Sequence, residues 1–199
     1  TEFKAAGCPD RTLARIPELF DALLSDTSVL LVDQENGVPG SEMEQLRAFR
    51  PQLSALCNEL ASYNIPEALH HDDLTANNIV LNERGYIFFD WAESAITHPF
   101  CSLFIPLRVA QDIFEFSENE LTSIRDSYLS QWVAYQPMER LQRAFEIAQR
   151  LAILCRCLTW QYVITHVEDH AKAEFRDATP YWLRLFLYDG EEFEEEEAS

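Results

Sequence analysis

His71-Asp72-Asp73-Leu74-Thr75-Ala76-Asn77-Asn78, followed further on by Phe89-Asp90-Trp91, is the stretch on which the reading of this chain turns. It sets a carboxylate, an amide and a second carboxylate in an order that suits phosphoryl transfer. Such chemistry needs a carboxylate to orient or deprotonate an attacking hydroxyl, and oxygen ligands to hold magnesium on nucleotide phosphates. Asn78-Ile79-Val80-Leu81 and Tyr86-Ile87-Phe88-Phe89 are short β-prone runs joined by Asn82-Glu83-Arg84-Gly85, which predicts a hairpin over about 78–90. Asp73 then lies in the loop before the first strand, Asn78 at that strand's start and Asp90 at the end of the second. Antiparallel pairing brings Asn78 and Asp90 to the same end of the hairpin.

Around the hairpin the pattern is helical. Ile16, Leu19, Phe20, Leu23 and Leu24 recur at helical spacing, and the loop from Asp33 to Gly40 leads to a capping box, Ser41 with Glu44. The helix that follows runs through Leu46, Leu53 and Leu60 towards Tyr63, and Pro51 is expected to kink or split it. After the hairpin, helices are predicted over about 99–116, 118–134, 137–166 and 180–188. The expected fold class is α+β, predominantly α-helical. Residues 1–188 form one body, and residues 189–199 form an acidic, mobile tail.

Composition narrows the function classes. A 199-residue chain with 47% hydrophobic residues, 13 Phe and only 5 Gly can bury a real core. Its net charge of −19 offers no basic stripe for nucleic acid and suits a cationic ligand. No apolar run approaches the roughly 20 residues of a membrane span, so no membrane partner is expected. Five scattered cysteines, Cys8, Cys57, Cys101, Cys155 and Cys157, fit a reducing cytoplasm. The chain starts at Thr1 without an initiator Met, as expected of a processed chain or, in preference, of an excised piece of a longer protein.

The order His-x-Asp-x-x-x-x-Asn with a later apolar-Asp-Trp resembles the aminoglycoside phosphotransferase family, small-molecule kinases related to protein kinases. The match runs from Leu69 to Trp91 and more loosely into Thr97-His98-Pro99-Phe100, and the helical order looks like that family's C-terminal lobe. The resemblance implies that Asp73 is the catalytic base, that His71 scaffolds its loop, and that Asn78 and Asp90 bind magnesium and through it ATP or GTP. His70, Asp72 and Asn77 satisfy the same spacing. The later register is preferred because Leu74 follows Asp73 and the aliphatic Ile79-Val80-Leu81 follows Asn78. Two departures stand out: Asp72 replaces the usual Gly, and Thr75 stands where His is common.

The resemblance also implies an N-terminal lobe with a phosphate-covering loop and a strand Lys. No Gly-rich loop precedes Asp73, and the lysines are Lys4 and Lys172. The expectation is thus a kinase-like C-terminal lobe without its N-terminal lobe, little active alone, that passes the ATP γ-phosphate to a hydroxyl of a cationic small molecule such as an aminosugar or amino alcohol. The competing expectation is a non-catalytic remnant that binds a ligand or partner protein.

Overall fold

The computed structural model describes residues 2–190. In chain order its elements are α1 (Glu2–Ala5), α2 (Ile16–Ser25), α3 (Gly40–Ala61), β1 (Ala68–His70), β2 (Ile79–Asn82), β3 (Gly85–Phe88), β4 (Ala95–Thr97), α4 (Phe104–Asp112), α5 (Glu118–Leu129), α6 (Met138–His166), α7 (Asp169–Phe175) and α8 (Ala178–Leu187). Short 3-10 turns cover Ala76–Asn78, Pro99–Leu103 and Ser130–Trp132. The fold is α+β and mostly helical. Cα packing divides it into two compact units, one from Thr1–Arg15 with Leu56–Ala152 and one from Ile16–Ala55 with Ile153–Ser199. The expected tail from residue 191 onward lies outside the described residues.

The first unit carries all four strands. β2 and β3 pair antiparallel from Ile79↔Phe88 to Asn82↔Gly85, leaving Glu83-Arg84 as the loop. Gly85, at φ +115, supplies a backbone conformation that a side chain would resist, and Asn82 Oδ1 accepts the Arg84 N–H at 2.8 Å. The sequence suggested no second sheet, yet β1 pairs antiparallel with β4. The N-terminal segment adds to it: Arg11 N donates to Ile96 O, and Ile96 N donates to Pro9 O, each at 2.9 Å.

Phe100 centres this unit's aromatic core. Fully buried, it packs edge-on against His98, Tyr128 and Trp132 with centroids 4.8–5.9 Å apart. The Phe100 carbonyl accepts from Gln149 Nε2 at 2.7 Å, and Tyr128 Oη donates to the Pro99 carbonyl at 3.0 Å. Burial pushes the Tyr128 hydroxyl up to about 12.

The second unit is stitched by rings and one buried ion pair. Phe186 of α8 meets Phe20 at 5.8 Å and Phe49 at 5.5 Å, both edge-on. Glu42 accepts from Arg184 Nε at 2.8 Å, from Arg184 Nη2 at 3.1 Å and from Tyr188 Oη at 2.9 Å. The forked geometry satisfies both carboxylate oxygens of a residue only 6% exposed.

Two local expectations are corrected. Pro51 does not split the helix, since α3 is continuous from Gly40 to Ala61. Pro51 is exposed, while Leu46, Leu53, Cys57 and Leu60 form the buried stripe of the helix. The helix start is also held differently from a Ser41–Glu44 box. Gly40 N donates to Asp33 Oδ1 at 2.7 Å, so a carboxylate from the preceding loop supports the first turn.

Two outcomes are expected from this packing. Glu42→Ala removes the carboxylate that takes both guanidinium bonds of this pair in a nearly dry site and should lower unfolding free energy by about 3 kcal/mol, measured by denaturant titration. His98, held down from 6.5 to about 3 by burial, stays unprotonated in the folded chain. Between those two pH values the unfolded chain binds a proton that the folded chain refuses, so stability falls as pH is lowered. The slope this residue adds is on the order of 1 kcal/mol per pH unit and should vanish in His98→Gln, followed by the same titration from pH 7 to 4.

Candidate functional site

The site is built where the loop after β1 meets the far end of the hairpin, all within the first unit. The chain turns sharply there. Asp72 has φ 62, Thr75 N returns to Asp73 O at 2.9 Å, and the 3-10 turn Ala76–Asn78 delivers Asn78 to the foot of β2. Asn78 therefore ends a turn rather than beginning the strand, as the sequence had suggested. Asp90 likewise lies beyond the second strand. β3 ends at Phe88, and Asp90 takes a left-handed conformation, φ 60, that cannot continue a ladder.

Asn78 and Asp73 are in direct contact. Asn78 Nδ2 donates to the Asp73 carbonyl and to Asp73 Oδ2, both at 2.9 Å. One amide nitrogen thus fixes the backbone and the side chain of the candidate base together. With both amide hydrogens committed to Asp73, Asn78 Oδ1 is left on the opposite side of the amide as a hard oxygen donor. In the alternative register, His70 and Asp72 meet in the interior, with Asp72 sealed at 2% exposure, while Asn77 is exposed and hydrogen-bonds to neither.

Asp90 reaches the same end of the hairpin through the backbone. Phe89 N donates to Asn78 O at 3.1 Å, which sets residue 89 beside residue 78 and Asp90 one step further on. Asp90 is exposed, and among the described residues no hydrogen bond or ion pair engages its carboxylate. An uncommitted carboxylate and an amide oxygen at one strand end are a donor set that fits magnesium, whose remaining positions are normally filled by water and phosphate. No group of three or more His, Cys, Asp or Glu suited to a metal ion exists among the described residues.

His71 contributes from inside. It is buried, and its Nε2 lies 2.9 Å from the Phe89 carbonyl. A carbonyl only accepts, so Nε2 carries the proton. The ring also packs against Trp91, centroids 4.6 Å apart, while Trp91 Nε1 donates to the Phe88 carbonyl at 3.0 Å. His71 thus touches the loop's frame, not a reacting position.

Sequence reasoning missed Arg11 and Ser102. Arg11 Nη1 reaches Asp72 Oδ2 at 3.3 Å, His70 Nε2 lies 2.9 Å from Asp72 Oδ1, and His70 Nδ1 lies 3.1 Å from Ser102 Oγ. No local pattern announces partners this far along the chain. The one available signal was an acidic residue, Asp72, at a position where a turn demands left-handed backbone.

The hairpin itself is apolar and open. Leu81 and Tyr86 are 66% and 68% exposed, and Ile87, Phe88, Phe89 and Trp91 each expose more than 40%. Because side chains alternate along a strand, Tyr86 and Phe88 expose apolar surface on one face of the hairpin and Ile87 on the other. No protein-family model matches this chain, and no curated protein or solved structure matches it either.

Asn78→Ala removes both side-chain ties to Asp73 from a buried position. It should cost about 2 kcal/mol and speed amide hydrogen exchange across residues 73–78 more than elsewhere in the unit.

Proposed function

We propose that this chain is the catalytic lobe of a kinase-like phosphotransferase of the aminoglycoside phosphotransferase type. It transfers the γ-phosphate of ATP or GTP to a hydroxyl of a cationic small molecule, an aminosugar or amino alcohol. The observation that carries the reading is the double hydrogen bond from Asn78 Nδ2 to Asp73 O and Oδ2. A general base must be held within a narrow range of positions against the hydroxyl it serves. An amide anchored at both the carbonyl and the carboxylate provides that restraint.

Each residue then has a role. Asp73 accepts the proton of the attacking hydroxyl as its oxygen bonds to the γ-phosphorus and the bond to the β-phosphate bridging oxygen breaks. The proton passes to the carboxylate, and the electron pair leaves with the nucleoside diphosphate. Asn78 Oδ1 and Asp90 would hold magnesium, which would neutralise charge on the phosphates. His71 supports the loop through Phe89, and the acidic surface favours a cationic acceptor.

The exposed apolar hairpin also supports this reading, since a lobe carrying the phosphate-covering loop and the clamping Lys would cover it. This chain supplies neither part. Lys4 sits in α1, paired with Asp10 at 2.9 Å, and Lys172 lies in α7. On this reading, turnover belongs to a full-length protein in which such a lobe accompanies this chain.

The test uses that full-length protein with ATP, magnesium and a panel of aminosugars and amino alcohols. Asp73→Asn should reduce turnover by about 1,000-fold with little change in nucleotide affinity. Asp90→Ala should abolish magnesium-dependent nucleotide binding measured by calorimetry. Either variant performing within a few-fold of the parent would sink the assignment.

A further inference from the structure

Asp72 occupies a backbone conformation, φ 62, that residues other than glycine, asparagine and aspartate seldom adopt. It does so immediately before Asp73, so the direction in which residue 72 turns the chain decides where the Asp73 carboxylate points. Left to itself, such a residue exchanges readily with ordinary right-handed or extended conformations. Here its side chain is gripped from two sides. His70 Nε2 lies 2.9 Å from Oδ1 and Arg11 Nη1 lies 3.3 Å from Oδ2, with Arg11, His70 and Asp72 all at 5% exposure or less.

Each gripping residue is itself anchored. Arg11 belongs to the segment that donates from its backbone N–H to Ile96 O of β4. His70 ends β1, which pairs with β4 at His70↔Ala95, and its other ring nitrogen meets Ser102 Oγ at 3.1 Å in the 3-10 turn that follows β4. The carboxylate of Asp72 is thereby referenced to the β1–β4 sheet and to the turn beyond it. Both ring nitrogens of His70 are engaged. The carboxylate can only accept, so Nε2 carries a proton, and Ser102 Oγ is free to donate to Nδ1.

We infer that Arg11 and His70 are positioning residues for Asp73: by holding the Asp72 side chain they keep residue 72 left-handed, and that conformation sets the Asn78–Asp73 contact. This rests on the assignment of Asp73 as the base for its catalytic meaning, but the geometric statement stands apart from it. A buried charged cluster is an expensive way to fill space, because apolar residues of similar size would serve packing as well or better. Its presence at the residue preceding a candidate base fits a requirement for a fixed backbone angle.

The experiment compares the full-length protein with Arg11→Met, Asp72→Gly and the double variant Arg11→Met/Asp72→Gly, by crystal structure and by steady-state kinetics with magnesium and ATP on the amine panel above. Glycine takes positive φ without cost, and the double variant removes both buried charges together. In Arg11→Met, residue 72 should leave the left-handed region and the Asn78 Nδ2–Asp73 Oδ2 contact should open past hydrogen-bonding distance. Turnover should fall about 100-fold while KM for ATP stays within about 3-fold. The double variant should regain the contact and most of the turnover. An Arg11→Met crystal structure with the contact intact would overturn the inference, as would a double variant that fails to regain it. If Arg11→Met alone does not fold, the double variant decides by the same contact. Asp73→Asn with full turnover would instead remove the catalytic reading and leave the contact result standing.

Discussion

Phe89 holds the candidate site together with its backbone alone. Its N–H goes to the Asn78 carbonyl and its carbonyl receives His71 Nε2, so the backbone of one residue joins the returning strand to both ends of the preceding loop. Without that double tie the loop from His71 to Asn78 would be joined to the residues after β3 only through the His71–Trp91 ring contact and the β2–β3 ladder. With it, Asp73, Asn78 and Asp90 share one frame although they come from a loop, a turn and a strand exit. The side-chain bonds from Asn78 to Asp73 refine a geometry that the Phe89 backbone has already limited.

Much of the architecture was legible because it is local. The hairpin follows from two β-prone runs and the Asn82–Gly85 turn, and the long helix α6 follows from an apolar stripe that Leu141, Ala148, Leu151 and Leu158 sustain. What was not legible is non-local. β1 and β4 have three residues each, too few to show alternation, and each needs the other to be a strand. Pro51 reads as a breaker until the buried stripe on either side outweighs one missing hydrogen bond. The support that α3 receives from Asp33 lies in the preceding loop, outside the window in which a capping box is sought.

The site shows the same division. Spacing and residue type singled out His71, Asp73, Asn78 and Asp90, and the hairpin explains why they could share a neighbourhood. It did not suggest that Asn78 would reach back to Asp73 as well as offering an oxygen elsewhere. Nor did any pattern link Arg11 to Asp72, since an ion pair between distant residues leaves no periodicity. Two of the acids, Asp72 and Asp90, adopt left-handed backbone, so each shapes the chain path as well as carrying charge.

The bare hairpin has a colloidal consequence. β2 and β3 form a two-stranded sheet, so each has one rim of backbone donors and acceptors with no ladder partner, flanked by greasy side chains. Such a rim can template strand-to-strand growth between copies, and the two-residue loop offers only Glu83 and Arg84 as local charges against it. What opposes self-association is then the long-range repulsion of a strongly anionic molecule, a force that dissolved electrolyte weakens and that contact between apolar faces does not need.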